Sequence, residues 1–212
     1  MSSLTMMPMS LEEIAQAVQG RLIAGTAAVN VPVATSAFTD SRQIVEGSVF
    51  VAIAGERVDG HDYVPHVGAQ GAVAAIVDHE IADAGVPQIV VEDTVLALGA
   101  LAKHNIERRR ALGTPFTVVG ITGSVGKTTT KDLMKALLSH MGPTVAPVGS
   151  FNNEIGLPLT SLKVNAETRF LVAEMGANHV GEIANLTSLV PPDIAVVLKV
   201  GVAHLGEFGS AE

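Results

Sequence analysis

An apolar strand that runs straight into a glycine loop, a lysine and a series of threonines constrains this chain more than any other stretch. Phe116-Thr117-Val118-Val119-Gly120-Ile121 has the composition of a buried strand. After Lys127, residues suited to one helical face recur at Thr130, Leu133 or Met134, Leu137 and Met141. Between them lies Thr122-Gly123-Ser124-Val125-Gly126-Lys127-Thr128-Thr129. A glycine loop at a helix N-terminus presents free backbone N–H groups and the positive end of the helix dipole, so it can wrap the phosphates of a nucleotide. Here Gly123, Ser124, Val125, Gly126 and Thr129 would form the cradle and Lys127 would reach the outer phosphates. The Thr128 hydroxyl would ligate Mg2+. The first glycine of the general motif would fall at Ile121, so the loop is a Thr-Gly-x-x-Gly-Lys-Thr variant. An ordinary surface turn is the competing reading, and the strand before and helix after weigh against it.

The rest of the sequence surrounds this junction with alternating strands and helices. Ser10-Leu11-Glu12-Glu13 has the form of a capping box and predicts a short helix reaching Val18 before Gly20. Strands are predicted over residues 21–24, 35–39, 48–54, 72–77 and 88–91, with a helix over 63–70. A longer helix, capped by Asp93, should extend to Arg110 before Gly113-Thr114-Pro115 stops it. That stop predicts a domain boundary, giving a first domain of residues 1–113 and a second of 114–212. The second should hold further strands at 144–148, 169–173 and 194–200. Such a pattern calls for a mostly parallel α/β sheet with ligands at the carboxyl ends of its strands.

Composition narrows the partners. Lys and Arg number 13 against 21 Asp and Glu, a net charge of −8, which argues against a nucleic-acid backbone as the main partner. Any phosphate recognition must be local. Cysteine is absent, so disulfide scaffolds and thiolate metal sites are excluded. A hydrophobic content of 48% across 212 residues points to substantial aliphatic cores, with aromatics at only 3%. No signal-like or membrane-spanning run is visible, and the expectation is a cytoplasmic protein.

Three polar clusters are predicted at the ligand edge of the second sheet. Asn152 and Asn153 lie in Gly149-Ser150-Phe151-Asn152-Asn153-Glu154, where turn formation is the bland reading. Glu174 ends an apolar run, a position from which a carboxylate reaches a metal held by Thr128; a solvated strand end is its alternative. Asn178 and His179 follow. His204, after the last predicted strand, is a further ligand candidate. His66, His79, His104 and His140 read as ordinary surface groups. Arg108-Arg109-Arg110 reads as a dipole-complementing last helical turn. Spacing alone assigns no role to Ser41, Arg42 or His61.

The segments TGSVGKTTTK, FNNEIGLP, EMGANHVGEI and AHLGEFGS, in this order, resemble the Mur ligases of bacterial cell-wall synthesis. TDSRQIVEGSVFVAIAGERVDGHDYV is similar to the UDP-sugar-binding first domain of that family. The resemblance implies a small N-terminal α/β substrate domain followed by a P-loop-type α/β ATPase domain. It also implies an ADP-forming ligase that uses ATP and Mg2+, in which the carboxylate of UDP-MurNAc-tripeptide is phosphorylated and then attacked by the amine of D-Ala-D-Ala. On this basis Lys127, Glu174 and His204 carry the chemistry, and Thr128, Glu174 and His204 hold the metal. Asn152, Asn153, Asn178 and His179 face the substrate near its reacting end, and Ser41, Arg42 and His61 contact its UDP side. No nucleic-acid or membrane partner is implied, and a monomer is expected at full length. Family members continue beyond AHLGEFGS, so the chain is expected to be an inactive N-terminal portion. A third-residue-adding ligase of the same superfamily, or a non-catalytic nucleotide-binding module, remain the alternatives.

Overall fold

The computed structural model describes residues 5–23 and 33–199. The chain divides into two compact units, and the division falls inside a helix, between His104 and Asn105. Both units are of mixed α/β type, as the alternating pattern predicts.

In the first unit, β1 (Met9–Ser10) leads into α1 (Leu11–Ala17), and β1 pairs antiparallel with β3 (Val33–Ala34). Ser10 caps α1 as predicted, its hydroxyl accepting from the Glu13 N–H. A five-stranded sheet follows in the order β2-β7-β6-β5-β4, made of β2 (Arg21–Ile23), β4 (Ser36–Phe38), β5 (Ser48–Val51), β6 (Ala72–Val77) and β7 (Gln88–Val90). All neighbours are parallel except β2 with β7. β6 lies at the centre, and its alanines admit close packing on both faces. One face buries Phe50, Ala75 and Val77 against Val64 and Val67 of α2 (Val64–Val67). The helix predicted over 63–70 is thus a single α-turn flanked by tighter turns, Gly60–Tyr63 and Gly68–Gln70.

Helix α3 (Thr94–Ala111) starts where Asp93 predicts, the Asp93 carboxylate accepting from the N–H groups of Val95 and Leu96. Its second half belongs to the other unit, where the Asn105 amide donates to Ser161 O and Val164 O. The arginines at its end do more than complement the dipole. Arg109 is 1% exposed and donates to Thr168 O, Thr114 Oγ1 and Pro115 O, with its guanidinium over the Phe116 ring. Burial lowers its pKa from the ordinary guanidinium value. Arg110 forms a two-pronged pair with Asp193, whose carboxylate also accepts the Val118 N–H. The linker after α3 is therefore clamped to the sheet that follows.

That sheet has the order β11-β8-β10-β9 and is parallel throughout, built from β8 (Thr117–Thr122), β9 (Thr144–Val145), β10 (Phe170–Glu174) and β11 (Ile194–Val197). Helices cover both faces, and the strands sort their side chains with period two. Val118, Leu171 and Ala173 pack with Leu157 of α5 (Gly156–Ser161) and Leu186 of α6 (Glu182–Leu189). Val119, Ile121 and Val172 instead meet Met134 and Leu138 of α4 (Lys127–Ser139).

Two expectations are corrected. The strand predicted over 144–148 stops at Val145, because Pro147 has no N–H to give a ladder. Of the alternatives Leu133 or Met134 on the inner face of α4, Met134 is the one that packs, and the rest of that face is rotated: Leu137 and Met141 are exposed with Leu133, while Leu138 packs on the sheet and Lys131 is buried. Pointing Thr128 at the strand ends fixes that rotation.

Arg109→Ala would strand the Thr168 and Pro115 carbonyls and the Thr114 hydroxyl, and open a cavity. A loss of about 3 kcal/mol in the stability of the second unit is expected, read as a lowered urea midpoint.

Candidate functional site

β8 ends at Thr122 and α4 begins at Lys127, so four residues must reverse the chain. Gly123 takes φ +141° where a Cβ would meet the Leu198 side chain at 2.8 Å, and only glycine fits. Gly126, at φ +87°, is the residue before the first turn of α4. The loop is pinned on its far side by Ser124 N–H donating to Lys199 O. Lys127 Nζ donates to Gly123 O at 2.7 Å, so its ammonium lies across the loop at the helix N-terminus. The arrangement concentrates N–H dipoles and one cation on a single opening.

Parallel pairing then brings Glu174 to the same place, since Glu174 lies opposite Ile121 in register. Its carboxylate is 1% exposed. Oε1 accepts from the Thr128 hydroxyl at 3.3 Å and from Asn152 Nδ2 at 2.9 Å. Oε2 is buried and has no hydrogen-bond partner among the described residues. A bare, buried carboxylate oxygen is costly unless a cation or donor reaches it. The donors available, one hydroxyl and one carboxylate beside a phosphate-type loop, are hard oxygens, and they fit Mg2+ rather than a softer metal.

Asn152 and Asn153, adjacent in sequence, do different work. Asn152 packs against Gly176, where a Cβ would meet its amide at 2.7 Å, and its carbonyl accepts the Gly176 N–H. Asn153 Oδ1 accepts the Gly156 N–H and so caps α5, the turn-forming role that its composition suggests. Both residues also line a cleft of about 370 Å³ with Lys127, Gly176, Asn178 and His179. A neighbouring cleft of about 320 Å³ is lined by the phosphate loop, Ser150, Asn152 and Glu174. The two share Lys127 and Asn152. Of the residues predicted for this edge, Lys127, Thr128, Asn152, Asn153, Glu174, Asn178 and His179 are brought together, while His204 lies outside the described residues. Ser150, Glu154, Gly176 and Glu182 join them without having been singled out. Glu182 is anchored by accepting the Asn178 N–H, and its place four residues on from Asn178 was the available signal.

The first unit carries a separate cleft of about 460 Å³ lined by Ser41, Arg42, Ile53, Gly60 and Tyr63. Asp40 holds Arg42 there by two side-chain hydrogen bonds and accepts its backbone N–H. His61 is placed differently from Ser41 and Arg42. It is 4% exposed, its Nδ1 meets Asp59 at 2.6 Å, and its Nε2 accepts the Asp78 N–H at 3.2 Å. Nε2 also lies 3.2 Å from Asp78 Oδ1, so both ring nitrogens have polar partners. His61 is not among the residues lining the cleft; its imidazole and backbone N–H both bond Asp59 in the turn beside it. The ligand atoms of His61, Asp78 and His79 lie within 4.8 Å of one another. His79 stacks on His61 with ring centroids 4.8 Å apart, and His104 Nε2 meets Glu13 Oε1 at 2.9 Å. His79 is exposed, as its sequence context suggests, while His104 is half-buried.

Two family models match the chain, one described as Mur ligase family, catalytic domain, over residues 33–106, the other as Mur ligase middle domain over residues 121–212. UDP-N-acetylmuramoyl-tripeptide--D-alanyl-D-alanine ligase of Mycobacterium tuberculosis (strain H37Rv) is 45% identical over 192 residues, covering 82% of this chain and 37% of the relative. The Haemophilus influenzae enzyme of the same name is 42% identical over 209 residues, covering 97% and 44%. Among solved structures, MurF from Acinetobacter baumannii superposes with a TM-score of 0.82 at 40% identity, covering 97% of this chain and 44% of that one. MurF ligase from Thermotoga maritima, in complex with ADP, gives 0.70 at 39% identity, covering 82% and 40%. The chain thus spans about two fifths of the length of these relatives.

The hydrogen bonds from Arg42 depress the Asp40 carboxyl from its usual 3.8 to about 2. A depressed carboxylate contributes stability above pH 3.8 that is lost as pH falls through about 2. Side-chain carboxyl NMR is expected to give that midpoint, and Arg42→Gln to move it back up.

Proposed function

The chain belongs to the Mur ligase family, and from that premise we propose that it supplies the substrate-nucleotide unit and the phosphate-loop unit of an ADP-forming amide ligase. The observation that carries this reading is the Glu174 carboxylate, which lines the phosphate-loop cleft with Oε1 accepting the Thr128 hydroxyl while Oε2 is buried with no hydrogen-bond partner among the described residues. The relatives' names specify the substrates: UDP-MurNAc-tripeptide and D-Ala-D-Ala, joined during peptidoglycan precursor synthesis.

The reaction class follows from the chemistry. A carboxylate is a poor electrophile, so its oxygen first attacks the γ-phosphorus of ATP and ADP departs. The amine then attacks the acyl carbonyl, phosphate leaves with the C–O bond's electrons, and the ammonium proton is lost. Most of the barrier is mutual repulsion of anions and imperfect alignment, which positioning and fixed positive charge can lower. The loop N–H groups and Lys127 would hold the triphosphate, with the ammonium swinging from Gly123 O onto the outer phosphates. Mg2+ held by Thr128 and Glu174 would neutralise phosphate charge there. His204 stays a proposed further ligand on the strength of the resemblance. The cleft that runs from Lys127 to Asn178 and His179 is where the tripeptide's reacting carboxylate would lie. Ser41 and Arg42 would face the UDP end in the first unit's cleft. The unit boundary proposed from the sequence, residues 1–113 against 114–212, keeps these two sites on different domains.

The test is Mg2+-dependent ADP release and amide formation with UDP-MurNAc-tripeptide and D-Ala-D-Ala, run on this chain and on a chain extended to its relatives' full length. The extended chain is expected to form the amide and the 212-residue chain to bind nucleotide without doing so. Turnover with UDP-MurNAc-dipeptide and a diamino acid instead would transfer the assignment to the third-residue-adding ligase. Nucleotide binding with no amide from either chain would leave a non-catalytic module.

Lys127→Ala is expected to lower kcat/KM of the extended ligase by about 10² to 10³ while leaving UDP-substrate affinity intact. Glu174→Gln is expected to raise the Mg2+ requirement; an unchanged requirement would remove Glu174 from the metal site.

A further inference from the structure

Lys131 is a buried titratable group that the reaction outlined above does not use. It lies one helical turn beyond Lys127 and Thr128 on α4, and the residue is 1% exposed. Its ammonium donates to Pro147 O at 3.2 Å and Gly149 O at 2.9 Å, and meets Asp132 Oδ1 at 3.0 Å. All three N–H donors are therefore accounted for. The position faces the sheet beside Met134 and Leu138, where an aliphatic side chain would fill the space without desolvating a charge.

What the ammonium holds explains its presence. After Val145 the chain leaves the ladder, and residues 146–151 have no strand hydrogen bonds to fix them. Gly149 stands at φ +66° with open space around it, so that segment has little steric definition of its own. Lys131 supplies the missing fixed points at two carbonyls. Three residues after Gly149, Asn152 donates to Glu174 Oε1, the same oxygen that accepts from Thr128. Two routes thus run from α4 to one carboxylate oxygen. One is direct, through Thr128; the other passes through Lys131, the 147–149 backbone and Asn152.

We propose that Lys131 is a positioning residue for the metal-binding carboxylate: by fixing Pro147 and Gly149 it sets Asn152, and Asn152 holds Glu174 Oε1 against the Thr128 hydroxyl, which leaves Oε2 without a protein partner among the described residues. This rests on the reading of Glu174 and Thr128 as the Mg2+ site. Its consequence is specific to the metal. The phosphate loop makes no use of Lys131, so affinity for nucleotide without metal should not depend on it.

The experiment measures ADP affinity by calorimetry on the 212-residue chain, in EDTA and across an Mg2+ titration, for the original protein, Lys131→Met and Lys131→Gln. Either variant that folds, judged by circular dichroism, is expected to keep its metal-free ADP affinity within about twofold and to need about tenfold more Mg2+ for half-maximal enhancement. An unchanged Mg2+ midpoint in a folded variant overturns the proposal, as does an equal loss with and without metal, which marks a general packing role. Asn152→Ala supplies the independent arm, and keeps the proposal open to refutation should both Lys131 variants fail to fold. It too is expected to raise the midpoint about tenfold, and with Lys131→Met or Lys131→Gln its effect should be less than additive; no change, or full additivity, overturns the route through Asn152. If the original protein binds ADP with no response to Mg2+, the metal-site reading itself fails, a result distinct from the failure of Lys131 alone.

Discussion

The parallel pairing of β8 with β10 is the constraint on which the rest of the second unit depends. It sets Glu174 opposite Ile121, so the carboxylate that ends one strand stands beside the loop that ends the other. A one-residue slip would turn Glu174 to the opposite face of the sheet. The register is secured by sorting on both faces, with Leu171 and Ala173 committed to the α5 and α6 side and Val172 to the α4 side. Packing free energy spread over a dozen aliphatic side chains therefore holds one charged group where isolated burial would disfavour it.

The same sheet illustrates how polar groups substitute for regular structure where sequence forbids it. Pro147 ends β9 early, and Lys131 takes the freed carbonyls. The linker after α3 has no strand partner before Thr117, and Arg109 gathers Thr114, Pro115 and Thr168 instead. In both cases a long cationic side chain bonds several backbone oxygens at once, at a distance a backbone N–H could not span. Such side chains give definition to segments that a hydrophobic core alone would leave loose.

These are also the places where the sequence was hard to read. The phosphate loop, the Asp93 cap, the Ser10 cap and the alternating order of strands and helices were legible because each depends on residues close together in the chain. Glu174 was legible because it terminates an apolar run. Arg109 and Lys131 were not. Each lies on a helix among charged neighbours, where local pattern implies a solvated face, and each is buried by a segment far away in sequence. The face of α4 was legible only in part for a related reason: Leu133 or Met134 was left open and Met134 packs, but Leu137 makes as good an apolar stripe as Leu138, and only the need to aim Thr128 at Glu174 separates them. His61 was picked out as a candidate, and what the sequence did not show is its burial between Asp59 and the Asp78 N–H.

Asn152 and Asn153 show why a turn-forming reading and a ligand-facing reading need not exclude each other. Asn153 spends its carbonyl oxygen on the first turn of α5, which fixes the direction in which the chain leaves the loop. That leaves Asn152 pressed against Gly176, where the missing Cβ lets the amide approach Glu174. The amide donates through Nδ2 to a carboxylate, so Oδ1 is its remaining acceptor, on a residue that lines both clefts with Lys127. A carboxamide placed this way can brace a negative oxygen with one end and receive an N–H with the other. An aspartate at the same position would put a second anion against Glu174, and an alanine would release it. The asparagine is thus required by the charge of its neighbour, while the glycine opposite is required by the size of the asparagine.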